Sequence, residues 1–114
     1  MHSRQQPLYI YKVMEHRQVI QAANLRLEPC TWRAWAGENQ IESLTAAEYA
    51  MLFLVAREQG RVVTLDEIGN FLDGASYDVI RALAAKVRKK VGAAAITIRT
   101  VHGVGFQLVQ NSGH

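Results

Sequence analysis

The sequence predicts an α+β fold in which a small N-terminal antiparallel β-sheet is followed by three helices and a C-terminal β-hairpin. Residues 24–28 and 31–36 show the alternating pattern of strands that bury one face. Thr-x-x-Glu capping boxes at Thr45 and Thr64 mark two helix starts, because their side chains bond backbone groups that a helix start leaves unpaired. Residues 96–109 contain two β-rich runs separated by a glycine-containing tip, which is typical of a hairpin.

The length of 114 residues suits one domain with a single hydrophobic core. We expect residues 8–109 to form this compact domain, with a flexible lead over residues 1–7 and a flexible tail over residues 110–114. Within the domain, we assign residues 8–44 to the antiparallel sheet and residues 45–109 to the helices and the hairpin.

The part of the chain before Thr45 is predicted to be entirely β-structure. Residues 8–13 (LYIYKV) are rich in aromatic and β-branched side chains and predict an additional N-terminal strand. A meander is expected over residues 18–44, with breaks at residues 29–30 and 37–39, where proline and glycine occur.

Three helices are predicted between the sheet and the hairpin. The first, opened by Thr45, is apolar on nearly all sides and must be covered on more than one face. The second is opened by Thr64 and stops near residues 73–74, an Asp-Gly turn signal. The third spans residues 76–91, and its apolar face contains Ile80, Leu83, Ala84, Val87 and Val91. Two closely joined helices predict a helix-turn-helix, and the hairpin makes it a winged helix-turn-helix.

The charges are separated along the chain. All 10 acidic residues lie at or before Asp78, and the six bases that follow it belong to the third helix and the hairpin. The last 36 residues therefore carry +6 and the first 78 carry −3, although the whole chain is only +3. Such a field attracts a polyanion toward one end of the molecule. A solvated helix face would explain the Arg-Lys-Lys run alone, but not the lack of acids from Val79 to the end of the sequence.

Other classes of function find little support in the sequence. No run approaches the roughly 20 apolar residues that span a bilayer, and the single Cys30 excludes an internal disulfide and suits a reducing compartment. We therefore expect a cytoplasmic protein that does not bind membranes. Cys30 and the scattered histidines lack the spacing of metal ligands. We expect no enzyme activity, no metal and no cofactor.

Four motifs resemble the C-terminal effector domain of OmpR/PhoB-type bacterial response regulators. The motifs are LTAAEYAMLFLVAREQGRVVT, LDEIGNFLDG, KVRKKVG and IRTVHGVGFQL, and the resemblance covers roughly three quarters of the chain. The last motif is the most specific, since we expect both of its glycines, Gly103 and Gly105, to adopt the unusual backbone angles of a hairpin tip.

This resemblance implies that the third helix enters the major groove of double-stranded DNA and that the hairpin, or wing, lies at an adjacent minor groove. By matched position, it implies groove-facing positions for Arg81, Ala85, Lys86 and Lys89, edge positions suited to phosphates for Arg88 and Lys90, and contacts near the backbone and minor groove for Arg99, Thr100 and His102. We expect the lysines, Arg88 and Arg99 to supply most of the affinity through phosphates. Arg81 is the candidate for a base contact, because a guanidinium matches the paired acceptors of guanine.

The chain also departs from this family. This sequence contains no receiver domain, and the connection between its second and third helices is shorter than is usual in the family. The third helix has Arg-Ala-Leu-Ala-Ala at its centre, and alanines read few base edges. His102 stands where arginine is common, which weakens a minor-groove contact at neutral pH.

Two kinds of partner therefore stay open. The first interpretation is a transcriptional regulator that binds double-stranded DNA, with RNA polymerase and a second copy on tandem sites as further candidate partners. The alternative is a winged-helix protein-interaction module that binds RNA polymerase or another regulator with little DNA specificity. An unpaired strand edge at residues 9–13 would offer such a module a docking site.

Overall fold

The computed structural model describes residues 7–92 and 94–110. The helices are α1 (Leu8–Met14), α2 (Ala46–Arg57), α3 (Leu65–Phe71) and α4 (Tyr77–Lys90). The strands are β1 (Ile20–Ala22), β2 (Leu25–Glu28), β3 (Arg33–Ala36), β4 (Asn39–Gln40), β5 (Val63–Thr64), β6 (Ile96–Val101) and β7 (Gly105–Gln110). A 3-10 turn, Pro29–Thr31, connects β2 to β3.

The strands form two antiparallel sheets. The first is a four-stranded meander in the order β1-β2-β3-β4. In the second, the hairpin strands join the short strand that precedes α3, in the order β5-β7-β6. The predicted α+β class, the N-terminal antiparallel sheet and the C-terminal hairpin are confirmed.

The prediction of a strand over residues 8–13 is wrong. These residues form α1, so the described chain has four α-helices instead of the three expected. Val13 is fully buried, and Tyr9 and Ile10 are half-buried beside it. These three side chains lie within about 100° of one another on a helix, whereas adjacent residues of a strand point to opposite faces. Packing on one side therefore overrides the strand propensity of the segment.

α2 forms the centre of the core. Its predicted capping box is present, because Thr45 Oγ1 accepts the Glu48 N–H at 3.2 Å and Glu48 Oε1 accepts the Thr45 N–H at 2.9 Å. Residues 48–56 are all buried, as expected for a helix that is apolar on nearly all sides. The helix contacts α1, β1, α4 and β7. It therefore lies between the N-terminal sheet and the elements that follow.

α3 and α4 form the predicted helix-turn-helix. The second capping box is also present, with Thr64 Oγ1 accepting the Glu67 N–H at 3.1 Å and Glu67 Oε1 accepting the Thr64 N–H at 2.8 Å. After α3, Asp73 and Gly74 both adopt positive φ angles, 59° and 85°. These left-handed conformations reverse the chain within a few residues and bring α4 against α3.

The expected boundaries hold less well at the edges of the sheets. The meander ends with the two-residue β4, although it was expected to continue to residue 44. Gln110 belongs to β7 and not to a tail. The other residues of the expected lead and tail, apart from Pro7, lie outside the described residues. Within the described part of the chain, no helix has the length and apolar character needed to cross a membrane.

Candidate nucleic-acid interface

α4 begins at a serine cap and buries one face. Ser76 is the N-cap, since its Oγ accepts the Val79 N–H at 3.4 Å, and the helix begins at Tyr77. The predicted apolar face is confirmed, and it is formed by the buried Ile80, Ala84, Val87 and Val91 with the half-buried Leu83. The opposite side faces solvent and contains Asp78, Ala82, Ala85 and Lys89.

Three basic side chains are exposed on or beside this solvent-facing side. Arg81, Lys86 and Lys89 are all exposed, and so is Ala85 between them. These are the four residues for which groove-facing positions were expected. From Arg81 to Lys89 the helix advances about 12 Å, which matches the length of three to four base pairs. The face is therefore accessible, positively charged and long enough to follow several bases.

Arg88, for which a phosphate contact was expected, makes two hydrogen bonds within the protein. Its Nε donates to the Ile98 carbonyl oxygen at 2.6 Å, and its Nη2 donates to Thr100 Oγ1 at 2.7 Å. Both acceptors belong to β6, so the guanidinium joins α4 to the wing. The flank of α4 that Arg88 shares with Arg81 faces the wing, which a helical wheel of α4 alone does not reveal.

Lys90 is also engaged within the protein. Its Nζ donates to Glu48 Oε1 at 2.6 Å and to the Ser43 carbonyl oxygen at 2.8 Å. Burial raises the pKa of the Glu48 carboxyl, but hydrogen bonds from Lys90 and Thr45, together with the lysine charge, hold that pKa below its usual value. Lys90, for which a phosphate contact was expected, is therefore the partner of a buried carboxylate in this structure, and the phosphate contact stays a prediction.

The wing presents the three residues that were expected to approach DNA. Arg99, Thr100 and His102 are exposed. Arg99 Nη2 donates to Oε1 of its cross-strand neighbour Gln107 at 2.9 Å, and Gln107 Nε2 donates to the Gly60 carbonyl oxygen at 2.7 Å. This chain of contacts holds one side of the Arg99 guanidinium against β7, and the residue remains exposed.

The two glycines of the wing have different reasons to be glycine. Gly103 has a φ angle of 75°, as expected for a hairpin tip. Gly105 does not have a positive φ angle, so the same expectation is wrong for it. A Cβ atom at Gly105 would overlap the Val63 carbonyl and would lie 2.8 Å from Thr64 Cα. Glycine is needed there because β7 approaches the backbone of β5 too closely for a side chain.

A cleft of about 490 Å³ lies between the first two turns of α4 and the wing. The residues that line it are Leu65, Tyr77, Arg81, Thr100, Val101, His102, Gly103, Gly105 and Phe106. Three of the residues expected at the interface, Arg81, Thr100 and His102, thus meet at one cleft. The cleft therefore lies between the two elements for which DNA contacts were expected.

Sequence reasoning missed two residues of this surface. Tyr77 and Val79, in the first turn of α4, are 53% and 49% exposed. Both lie outside the apolar face of α4 that the sequence pattern identified. Two large apolar side chains that the core does not use were therefore an available signal for an interaction surface.

No metal site accompanies this surface in the part of the chain that the structure describes. Over residues 7–92 and 94–110, no group of three histidine, cysteine, aspartate or glutamate side chains is placed to hold a metal ion. Cys30 is exposed in the turn between β2 and β3.

The second part of the chain matches a known protein family. Residues 38–108 match the family described as "Transcriptional regulatory protein, C terminal". This match contains α2, the helix-turn-helix and nearly all of the wing. No curated protein sequence matches the chain.

Solved structures with a similar fold include two DNA-binding domains. That of Klebsiella pneumoniae RstA, in complex with the RstA box, has a TM-score of 0.71 and 22% identity over 81% of this chain and 97% of that chain. That of Bacillus subtilis CssR has a TM-score of 0.63 and 21% identity over 75% of this chain and 99% of that chain. At such identities the similarity establishes the fold alone, and it confirms the predicted winged helix-turn-helix.

A third similar structure belongs to a longer protein. It is described as a member of a family of redox sensors in the streptococci that evolved from two-component response regulators. Its TM-score is 0.69 at 22% identity, and the match covers 82% of this chain but only 43% of that chain. The chain described here thus spans less than half of that protein.

Proposed function

The chain belongs to the family of transcriptional regulatory protein C-terminal domains, and from that membership we propose that it binds double-stranded DNA to regulate transcription. In this proposal α4 occupies the major groove and the β6–β7 wing lies at the adjacent minor groove. The RstA domain, which has a similar fold, was solved in complex with its DNA box.

The observation that carries the proposal is the accessible basic side of α4. Arg81, Lys86 and Lys89 are exposed on this helix, Arg99 is exposed on the wing, and no acidic residue follows Asp78. Beyond Asp78, in the first turn of α4, the rest of the helix and the hairpin carry charge of one sign, which attracts a polyanion and orients it over both elements. Within such a surface, phosphate contacts supply most of the affinity and make it dependent on salt.

The residues divide into different roles in this proposal. Lys86, Lys89 and Arg99 contact phosphates, and Arg81 contacts a base edge, preferably the paired acceptors of guanine. Ala85 allows α4 to approach the groove closely and can touch a thymine methyl group. The exposed hydroxyl of Thr100 and the imidazole of His102, both on the wing, approach the sugar-phosphate backbone near the minor groove. Arg88 and Lys90 support the surface from within the protein.

The proposal includes further partners and a location. RNA polymerase and a second copy of the chain on tandem sites are the partners that the family resemblance suggests. The family resemblance implies a polymerase contact at the connection between the second and third helices, and only residues 72–76 form this connection here. The location proposed for a protein of this function is the cytoplasm, at the nucleoid.

Selection from random DNA tests the proposed function. Fluorescence anisotropy of the chain with a pool of random duplexes, at two salt concentrations, is followed by recovery and sequencing of the bound fraction. We expect a short motif to be enriched and to bind more tightly than the starting pool at both salt concentrations. Binding that disappears with modest salt and enriches no motif would contradict the proposal.

The second candidate is a protein-interaction module, and one observation favours it. Leu8, Tyr11 and Met14 of α1 are 63%, 51% and 43% exposed, and their three-residue spacing places them along one side of the helix. The strand edge expected at residues 9–13 no longer supports this candidate, because those residues are helical. Weak binding to every duplex, together with tight capture of purified RNA polymerase, would favour it over DNA reading.

A further inference from the structure

The wing is attached unequally along its two strands. β7 pairs with both β5 and β6, and Gln107 of β7 also donates to the Gly60 carbonyl oxygen. β6 pairs only with β7, so it is an edge strand of this sheet. An edge strand has unpaired backbone groups along its outer side. The Arg88 guanidinium covers this side by binding the carbonyl oxygen of Ile98.

The two hydrogen bonds of Arg88 form a fork with a fixed geometry. Nε and Nη2 of one planar guanidinium reach Ile98 O at 2.6 Å and Thr100 Oγ1 at 2.7 Å. Both bonds carry the positive charge of the donor, which makes them shorter and stronger than neutral hydrogen bonds. A lysine cannot reproduce this arrangement, since its ammonium is a single point on a flexible stem.

We propose that Arg88 is a positioning residue that sets the angle between the wing and α4 and acts on DNA through Thr100. This inference rests on the proposed function, because the angle matters only if the helix and the wing contact DNA together. With the fork in place, contacts in the major groove and near the minor groove form at one spacing. Without it, β6 keeps its pairing with β7 and its buried Ile96 and Ile98 side chains but loses its side-chain hydrogen bonds to α4.

Thr100 connects the fork to the DNA-facing surface. Its hydroxyl oxygen accepts the hydrogen bond from Arg88, which leaves the hydroxyl hydrogen free to be donated. Thr100 is exposed and lines the cleft between α4 and the wing. A phosphate oxygen over this cleft is therefore within the reach of a hydroxyl that Arg88 orients. Arg88 itself is only half-exposed, in contrast to its neighbour Lys89.

A direct phosphate contact by Arg88 is the competing explanation. The following variants separate this contact from a positioning role. Arg88→Lys keeps the positive charge and removes the fork. Thr100→Val removes the hydroxyl without changing α4, which keeps the test valid if a variant at Arg88 does not fold. Lys89→Ala removes a neighbouring exposed charge and serves as the matched phosphate control. The double variant Arg88→Lys/Thr100→Val tests whether the two residues act together.

The dissociation constant of each variant is measured on the duplex that the wild-type chain enriches, over a series of salt concentrations. We expect Arg88→Lys to bind about tenfold more weakly with the salt dependence of the wild type. Lys89→Ala makes the negative slope of log K against log salt shallower by about 1. The dissociation constant of the double variant is at most about twofold higher than that of the weaker-binding single variant. Arg88→Lys loses protection from hydroxyl radicals near the minor groove. In a separate methylation experiment, it keeps the protection of guanine in the major groove.

Several results would overturn the inference. Affinity of Arg88→Lys within about twofold of the wild type would show that the fork is not needed, and multiplying losses in the double variant would show that Arg88 contacts DNA independently of Thr100. Either result leaves the proposed function intact. A wild-type chain that enriches no duplex would instead contradict the proposed function, and the inference with it.

Discussion

The Lys90 Nζ atom lies 2.6 Å from Glu48 Oε1, so an ammonium at the end of α4 meets a carboxylate at the capped start of α2. The side chain of Glu48 is 3% exposed and that of Lys90 is 27% exposed. Both charges also suit the helix dipoles, since an acid lies in a first turn and a base in a last turn. The contact therefore joins two helices of the core, unlike an ion pair between fully solvated side chains.

Removing the lysine should destabilise the fold. Lys90→Met leaves the buried Glu48 carboxylate without its charged partner, and we expect the free energy of unfolding to fall by about 2 kcal/mol. Urea unfolding measures the change. Lys89→Met, at the neighbouring exposed position, serves as the control and should change stability by less than about 0.5 kcal/mol. Equal losses in the two variants would show that the Lys90 contact does not stabilise the protein.

The same contact predicts a pH dependence. The pKa of Glu48 is lowered in the folded chain, because hydrogen bonds from Lys90 and Thr45 outweigh the burial that raises it. A lowered pKa contributes stability that is present above the unfolded value of about 4.5 and is lost as the pH falls through the folded value. We therefore expect Glu48→Gln to be less stable than the wild type at pH 7, with a difference that shrinks below about pH 4.5.

A second carboxylate, that of Glu67, also contributes stability that depends on pH. Hydrogen bonds from the Arg61 guanidinium and the Thr64 backbone hold the pKa of Glu67 at about 2. The Glu67 side chain is 42% exposed, so solvent screens this pair more than the Glu48 pair. Comparing Glu48→Gln with Glu67→Gln across the same pH range separates the two contributions. A Glu48→Gln difference that is independent of pH would contradict the assignment.

Gly105 offers a test of the close approach between β7 and β5. The Cβ atom of Gly105→Ala would overlap backbone atoms of Val63 and Thr64, so the strands must separate. We expect a loss of about 3 kcal/mol in the free energy of unfolding, at the upper end of overpacking costs. Gly103→Ala is the matched control, because no atom lies within 4 Å of its Cβ position and only the positive φ angle opposes the change. Its cost should be about 1 kcal/mol, and a larger cost for Gly103→Ala than for Gly105→Ala would contradict the argument.

Replacing Ala23 with glycine should stabilise the fold. It adopts a φ angle of 51° in the turn between β1 and β2, a conformation that is unfavourable for a residue with a Cβ atom. We expect Ala23→Gly to raise the free energy of unfolding by about 0.5–1 kcal/mol. Ala22→Gly, one residue earlier in β1, should lower it by a similar amount, because glycine weakens a strand. Thermal unfolding of the two variants measures both changes, and a loss of stability in Ala23→Gly would count against strain at this turn.

The parts of the fold that the sequence predicted are those with local signals. Both capping boxes, the apolar face of α4 and the hairpin follow from spacing within short segments. α1 could not be predicted in this way, because Tyr9 and Ile10 favour a strand locally. Its helical form depends on packing of Val13 against the core and on contacts far along the chain, such as the Leu8 N–H donated to Asp73 Oδ2 at 3.0 Å.

The candidate interface shows the same limit. The exposure of Arg81, Lys86 and Lys89 follows from their positions around one helix. The partners of Arg88 and Lys90 lie in other elements, on β6 and at the start of α2, and the distance between those elements is not a property of the helix sequence. A basic run therefore predicts a charged surface but does not determine which of its side chains are already engaged within the protein.

Arg81 and Lys89 should affect DNA binding in different ways. Arg81 lines the cleft between α4 and the wing and is the candidate for a base contact, whereas Lys89 is exposed at the end of the same helix. We expect Arg81→Ala to bind the selected duplex about tenfold more weakly or worse, and to lose discrimination at one base position, because a bidentate contact to guanine is worth about 1–3 kcal/mol.

Lys89→Ala is expected to weaken all duplexes about equally and to reduce the salt slope by about 1, as a phosphate contact does. Competition between the selected duplex and single-base variants of it measures discrimination for both proteins. If Arg81→Ala weakens every duplex to the same extent, Arg81 binds phosphate and the base contact must be sought elsewhere on α4. The exposed first-turn residues Tyr77 and Val79 would then be the next positions to test, since apolar side chains recognise thymine methyl groups.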